Sequence, residues 1–101
     1  MISVKVKKEN NRYKKINILG HAMYDEYGKD IVCSAVSSII TTTVNGILML
    51  DKESLSYLVS KKGMLIEIKN IDNTTTQILI DNMVNLLKDL EKKYPENINF
   101  N

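Results

Sequence analysis

Hydrophobic and polar residues alternate from the start of the chain: Ile2, Val4 and Val6 fall on one side, Ser3, Lys5 and Lys7 on the other. This period-2 pattern predicts a strand over residues 2–7 with one buried face. The turn-like stretch Glu9-Asn10-Asn11-Arg12 follows, then a second run in which Ile16 and Ile18 share a face. In an unbroken strand Tyr13, Lys15, Asn17, Leu19 and His21 point the opposite way, so the pair reads as a β-hairpin with His21 emerging at its end. From Ile31 the period changes. Val32, Ala35, Val36, Ile39, Ile40, Val44 and Ile47 recur at helical spacing and predict a helix through Leu48. Asp30 stands at the N-cap position, where its carboxylate can accept from the amides of Val32 and Cys33. Many of the helix residues are β-branched, so its stability must come mainly from burial. Gly46, inside it, is expected to mark close packing or a local bend.

Strand character returns at Leu55-Ser56-Tyr57-Leu58-Val59. Lys61-Lys62-Gly63 turns the chain into Met64-Leu65-Ile66-Glu67-Ile68-Lys69, with Met64, Ile66 and Ile68 facing inward. Asp72-Asn73-Thr74 opens a second helix, with Thr74 and Gln77 at capping-box spacing. Leu79, Met83, Leu86, Leu87, Leu90 and Tyr94 form its apolar stripe, Lys92 and Lys93 complement its C-terminal dipole, and Pro95 stops it. Ile98 to Phe100 fits a short final strand or a tail. The order is ββαββα with one apolar face per element. It predicts an α+β fold: an antiparallel-rich sheet of about four strands with two helices packed on one face. The two halves share element order but too little sequence to count as a repeat.

Composition narrows the picture. The chain has 101 residues, 44% of them hydrophobic, which is enough for a single domain over 1–101 and too little for two. Its net charge of +2 argues against wholesale nucleic-acid binding, although local clustering matters more than the total. Lys5, Lys7, Lys14, Lys15, Lys61 and Lys62 lie on the two hairpins, where a solvated face is the simpler reading than RNA contact. One cysteine makes no internal disulfide, and the alternating N-terminus is no export signal. No uninterrupted apolar run approaches the ~20 residues of a membrane span. The expected location is the cytosol, with no membrane partner.

The chemistry concentrates in one place. The only histidine and the only cysteine, His21 and Cys33, sit twelve positions apart, at a strand end and in the first turn of a helix. A thiol and an imidazole are the minimum equipment for nucleophilic acyl transfer at neutral pH. Helix-start amides stabilise a thiolate and can hold an oxyanion, here the backbone amides of Cys33 and Ser34. His21 would act as general base and then as general acid. Asp30 either caps the helix or also orients the imidazole. Ser37 lies one turn after Cys33 and shares its helical face. Gly20 and Gly28 allow backbone conformations that other residues resist, and Tyr24 and Tyr27 either wall a substrate pocket or cover the sheet edge. Two ligand-type residues fall short of the four of a closed zinc site, so no metal is expected. No phosphate-cradling glycine loop is present, and no cofactor is expected. A second class of function is a non-catalytic module that contacts ribosomes or RNA through its lysines.

Gly20-His21-Ala22, the loop ending Tyr27-Gly28-Lys29-Asp30-Ile31-Val32-Cys33, and then Ala35-Val36-Ser37 resemble the signature of the ribosomal-processing cysteine protease Prp family. Thr42-Thr43-Val44-Asn45-Gly46 is also similar to that family, and length and element order match across essentially the whole chain. The resemblance implies a homodimeric α+β endopeptidase of the bacterial cytoplasm, acting in ribosome biogenesis. Its substrate would be the N-terminal extension of large-subunit ribosomal protein twenty-seven, cut after a paired aromatic motif. Carried onto this sequence, it implies His21 and Cys33 as the catalytic dyad and Gly20, Asp30 and Ser37 as supporting positions. Ser34 departs from the alanine usual in the family, and Met23 with Asp25-Glu26 lies in a loop that varies.

Overall fold

The computed structural model describes residues 1–20 and 31–101. Its elements are β1 (Ile2–Glu9), β2 (Arg12–Leu19), α1 (Ile31–Leu50), β3 (Leu55–Ser60), β4 (Gly63–Ile68), α2 (Thr74–Lys93) and β5 (Ile98–Phe100). They form one sheet in the order β3-β4-β2-β1-β5. The first four strands pair antiparallel, while β5 runs parallel to β1 with Ile2 opposite Ile98 and Val4 opposite Phe100. The sheet thus has five strands, the last one short, and is mixed. That follows from the connection: α2 carries the chain from β4 to the far edge, and a helical crossover delivers a parallel strand. The α+β class and the two-layer plan hold.

The predicted inward stripes of the sheet and of α1 make the core, joined by a stripe of α2 that is only in part the predicted one. Ile2, Val4, Ile16, Ile18, Met64, Ile66 and Ile68 from the sheet are buried with Val36, Ile40, Val44 and Ile47 of α1 and Ile80, Met83, Val84 and Leu87 of α2. By length and composition α1 could cross a membrane, with a mean hydropathy of 1.7, and 33% of that stretch is buried in the fold. Ser34, Ser38, Thr41, Thr42 and Asn45 are exposed along it, as suits a core helix whose second face is polar.

Four expectations need correction. Tyr13 does not point away from Ile16 and Ile18; it lies on the helix side, 8% exposed. Lys7 pairs with Lys15 and Lys8 with Tyr13, so Lys14 is an extra residue in β2, and this bulge reverses the alternation beyond it. The second helix is capped by Asn73, whose side chain accepts from the Thr76 amide at 3.1 Å, rather than by Thr74. No capping box forms, because Gln77 instead holds the backbone of Tyr13 at 2.8 Å and 2.9 Å through its amide oxygen and nitrogen. Leu86 is 41% exposed, whereas Ile80 and Val84 take the buried positions. Beyond its own stretch of helix, no described residue comes within 4 Å of where a Cβ on Gly46 would stand, so close packing against another element does not explain it.

Tyr13 also predicts a pH effect. Its hydroxyl donates to Asp81 Oδ1 at 2.6 Å. Burial first, then that hydrogen bond and the Asp81 charge, push its pKa up to about 12. A phenol raised in the folded state contributes stability that is complete below its ordinary pKa of ~10 and lost as pH climbs through the folded value. Tyr13→Phe should therefore flatten the stability decline between about pH 10 and 12. At pH 7 it should cost roughly 0.5–1.5 kcal/mol, the worth of one hydrogen bond. Urea titrations at both pH values check this, and an unchanged alkaline decline in the variant contradicts it.

Candidate active site

The site's strand side is built by close backbone approach. Gly20 follows β2 directly and adopts φ +73°, a left-handed conformation. A Cβ there would stand 2.3 Å from the carbonyl oxygen of Met1. Its amide donates to the carbonyl of Lys62 at 3.2 Å. On the neighbouring strand, Gly63 has φ +145° and sits opposite Leu19; a Cβ there would lie 1.9 Å from the carbonyl oxygen of Ile18. Two glycines thus let three strands converge where β2 ends, and they fix the point from which the chain departs into His21. Gly63 and the Lys62 carbonyl were not singled out from the sequence. A glycine opening a strand just after a Lys-Lys turn was the available signal.

The helix side is supplied by α1. Cys33 is its third residue and is 4% exposed, packed in the core cluster beside Val32 and Val36. The first turn of α1 carries no acidic side chain. Amides in a first helical turn lack intrahelical carbonyl partners and bring the positive end of the dipole to bear, which favours a thiolate, while the burial of Cys33 works against it. Ser37 is half-buried one turn further on, and Ser34 is exposed. The remaining predicted residues, His21, Tyr24, Tyr27, Gly28 and Asp30, lie outside the described residues, and so do the expected Asp30 cap and the dyad contact.

Among the described residues, concavities lie at both ends of β2. A depression of about 180 Å³ at the Gly20 end is lined by Asn17, Leu19, Leu58, Lys62, Gly63 and Leu65, among others. Two cavities of about 400 and 440 Å³ flank Tyr13 at the opposite end. They are lined by none of the predicted site residues. Among the described residues no cluster of His, Cys, Asp and Glu could hold a metal ion.

The comparisons with known proteins place the chain in a family. Residues 1–99 match the family model described as cysteine protease Prp. The chain is 34% identical over 84 residues to the ribosomal processing cysteine protease Prp of Staphylococcus aureus, covering 81% of this chain and 79% of that protein. It is 32% identical over 83 residues to the Mycoplasma genitalium protein of the same name, covering 81% of each. Among solved structures, it matches an essential ribosomal processing protease Prp from S. aureus, in complex with a covalently linked product peptide, with a TM-score of 0.88. That match has 29% identity and covers 100% of this chain and 98% of the other. SMU.848 from Streptococcus mutans matches with a TM-score of 0.86 and 27% identity, over 99% of this chain and 91% of that one. With the fold, the helix-start cysteine and the family model in agreement along its length, the chain belongs to the cysteine protease Prp family.

Proposed function

We propose that the chain is an endopeptidase that removes the N-terminal extension of large-subunit ribosomal protein twenty-seven, with Cys33 as nucleophile and His21 as general base. The observation that carries this reading is Cys33 in the first turn of α1, ten residues (21–30) after a strand end held by Gly20 and Gly63. In this mechanism the Cys33 Sγ attacks the scissile carbonyl while His21 takes the thiol proton and later gives it to the leaving amine. The amides of Cys33 and Ser34 receive the oxyanion, which a dry site rewards most strongly. In this reading Tyr24, Tyr27 and Gly28 contact the peptide, and Asp30 serves either as the helix cap or also as the group that orients the imidazole. Ser37 supports the dyad from the next turn. The S. aureus structures that carry a substrate peptide and a covalently linked product peptide support a peptide substrate here. The working form is a homodimer in the bacterial cytoplasm, with no cofactor.

Incubation with the extended ribosomal protein, read by intact mass, tests the proposal. One cut after the paired aromatic residues is expected. Replacing both aromatics with Ala should lower kcat/KM by about 10²–10⁴-fold, in line with lost burial of two large side chains. Cleavage elsewhere, or indifference to the aromatic pair, contradicts the reading.

A further inference from the structure

Charge is distributed very unevenly along this chain. The first hairpin holds six of the fourteen Lys and Arg residues, Lys5, Lys7, Lys8, Arg12, Lys14 and Lys15, against one acid, Glu9. It therefore carries +5 in a chain whose total is +2, and the remaining residues sum to −3.

The fold sorts these six cations. Arg12 pairs with Asp72. Lys8 Nζ lies 4.7 Å from the centroid of the Tyr13 ring. Lys14 Nζ donates to the Ile68 carbonyl at 2.8 Å. Lys5, Lys7 and Lys15 are different: all three lie on the sheet face opposite the helices, and Lys7 stands directly across from Lys15. Lys5 precedes Lys7 by two residues, about 7 Å along the same strand. None of the three ion-pairs or hydrogen-bonds with a described residue, even though Glu67 faces Lys15 from β4. Like charges directly opposite one another destabilise a strand pair, a cost that Glu67, across from Lys15 on its other side, offsets only in part.

We propose that this lysine face docks the phosphodiester backbone of RNA. Three cations spaced about 5 and 7 Å apart on a flat two-strand surface suit successive phosphates of one strand, with Asn17 and Ser3 as hydrogen-bonding neighbours. The choice of RNA over other polyanions rests on the reading of a ribosomal protein as substrate. The same face continues to Leu19, Leu58 and Leu65, beside the strand end that leads to His21. RNA held at the lysines would leave a protein tail within reach of the site. This proposal departs from the simpler reading of these lysines as a solvated face.

Anisotropy titration of a labelled single-stranded 20-nucleotide RNA between 50 and 200 mM KCl tests this. Three phosphate contacts predict a log–log salt slope of about −2 and roughly twenty-fold weaker binding across that range. The triple variant Lys5→Ala, Lys7→Ala, Lys15→Ala should lose at least about ten-fold in affinity at 50 mM salt and most of the slope. Lys92→Ala with Lys93→Ala should bind as the parent does. Cleavage of a short peptide should be unaffected by the triple variant, so a failed protease reading and a failed RNA reading are distinguishable. Parent-like RNA binding by the triple variant overturns the proposal. So does an absence of salt-dependent binding in the parent, or equally tight lysine-dependent binding to phosphatidylserine vesicles.

Discussion

Replacing Cys33 with Ala is expected to lower peptide cleavage by about 10⁴-fold or more while leaving the domain folded. Removing the nucleophile from a nucleophile–base pair abolishes the covalent route and leaves only binding and oxyanion contacts. The structural cost is small, because one buried sulfur atom is exchanged for a void of similar size, roughly 1–2 kcal/mol. A loss of activity with a melting curve only slightly displaced would separate chemistry from folding. His21→Ala should follow with about a 10²–10⁴-fold loss, the usual worth of a positioned general base. Alkylation supplies a second readout: Cys33 should react well below the ordinary thiol pKa of ~8.5, and His21→Ala should move that profile upward. Wild-type turnover in the Cys33→Ala protein would remove the mechanism altogether.

The two glycines at the end of β2 should respond differently to Ala. Gly63→Ala places a methyl group 1.9 Å from a backbone oxygen of Ile18, and its φ of +145° belongs to a region open almost only to glycine. Both strands must move apart, at a cost of about 3 kcal/mol or more. For a domain of this size that is a fall in Tm of more than about 12 °C. Gly20→Ala meets the Met1 carbonyl oxygen at 2.3 Å and adopts a left-handed φ of +73°. Its backbone penalty is about 1–2 kcal/mol, and the displaced atoms belong to the sheet margin. His21 is the next residue, however, and a shift of about 1 Å in a catalytic group can cost 10²-fold in rate. Gly63→Ala should therefore show mainly in thermal melts, and Gly20→Ala mainly in kcat. Equal stability losses with unchanged kcat in both would argue that the strand end does not position the imidazole.

Much of the fold could be read from the alternation of Ile2, Val4, Val6, Ile16, Ile18, Met64, Ile66 and Ile68, since a half-buried sheet leaves that period in its sequence. What escaped were features decided by three-dimensional context. The extra Lys14 in β2 inverts Tyr13, and nothing in the local sequence distinguishes a bulge from a regular strand. Two apolar stripes overlap on α2, one through Leu79, Met83 and Leu86 and another through Ile80, Val84 and Leu87. Which of them faces the sheet depends on how the helix is rotated. Gln77 was read as half of a capping box because spacing cannot reveal that β2 offers it a better pair of partners. The parallel β5 depended on where α2 delivers the chain. At the site, the cysteine's place in the first helical turn was legible because a change of period marks the start of α1. Gly63 was not, since its importance comes from Ile18 on the neighbouring strand.

Peptide mapping of the enzyme quenched during turnover of the extended ribosomal protein bears most directly on the claim that a helix-start sulfur carries the reaction. The expected product is a substrate-derived acyl group bound to the fragment that contains Cys33, absent from the Cys33→Ala protein. Continued cleavage with that fragment unmodified, or an adduct on any other residue, would contradict it.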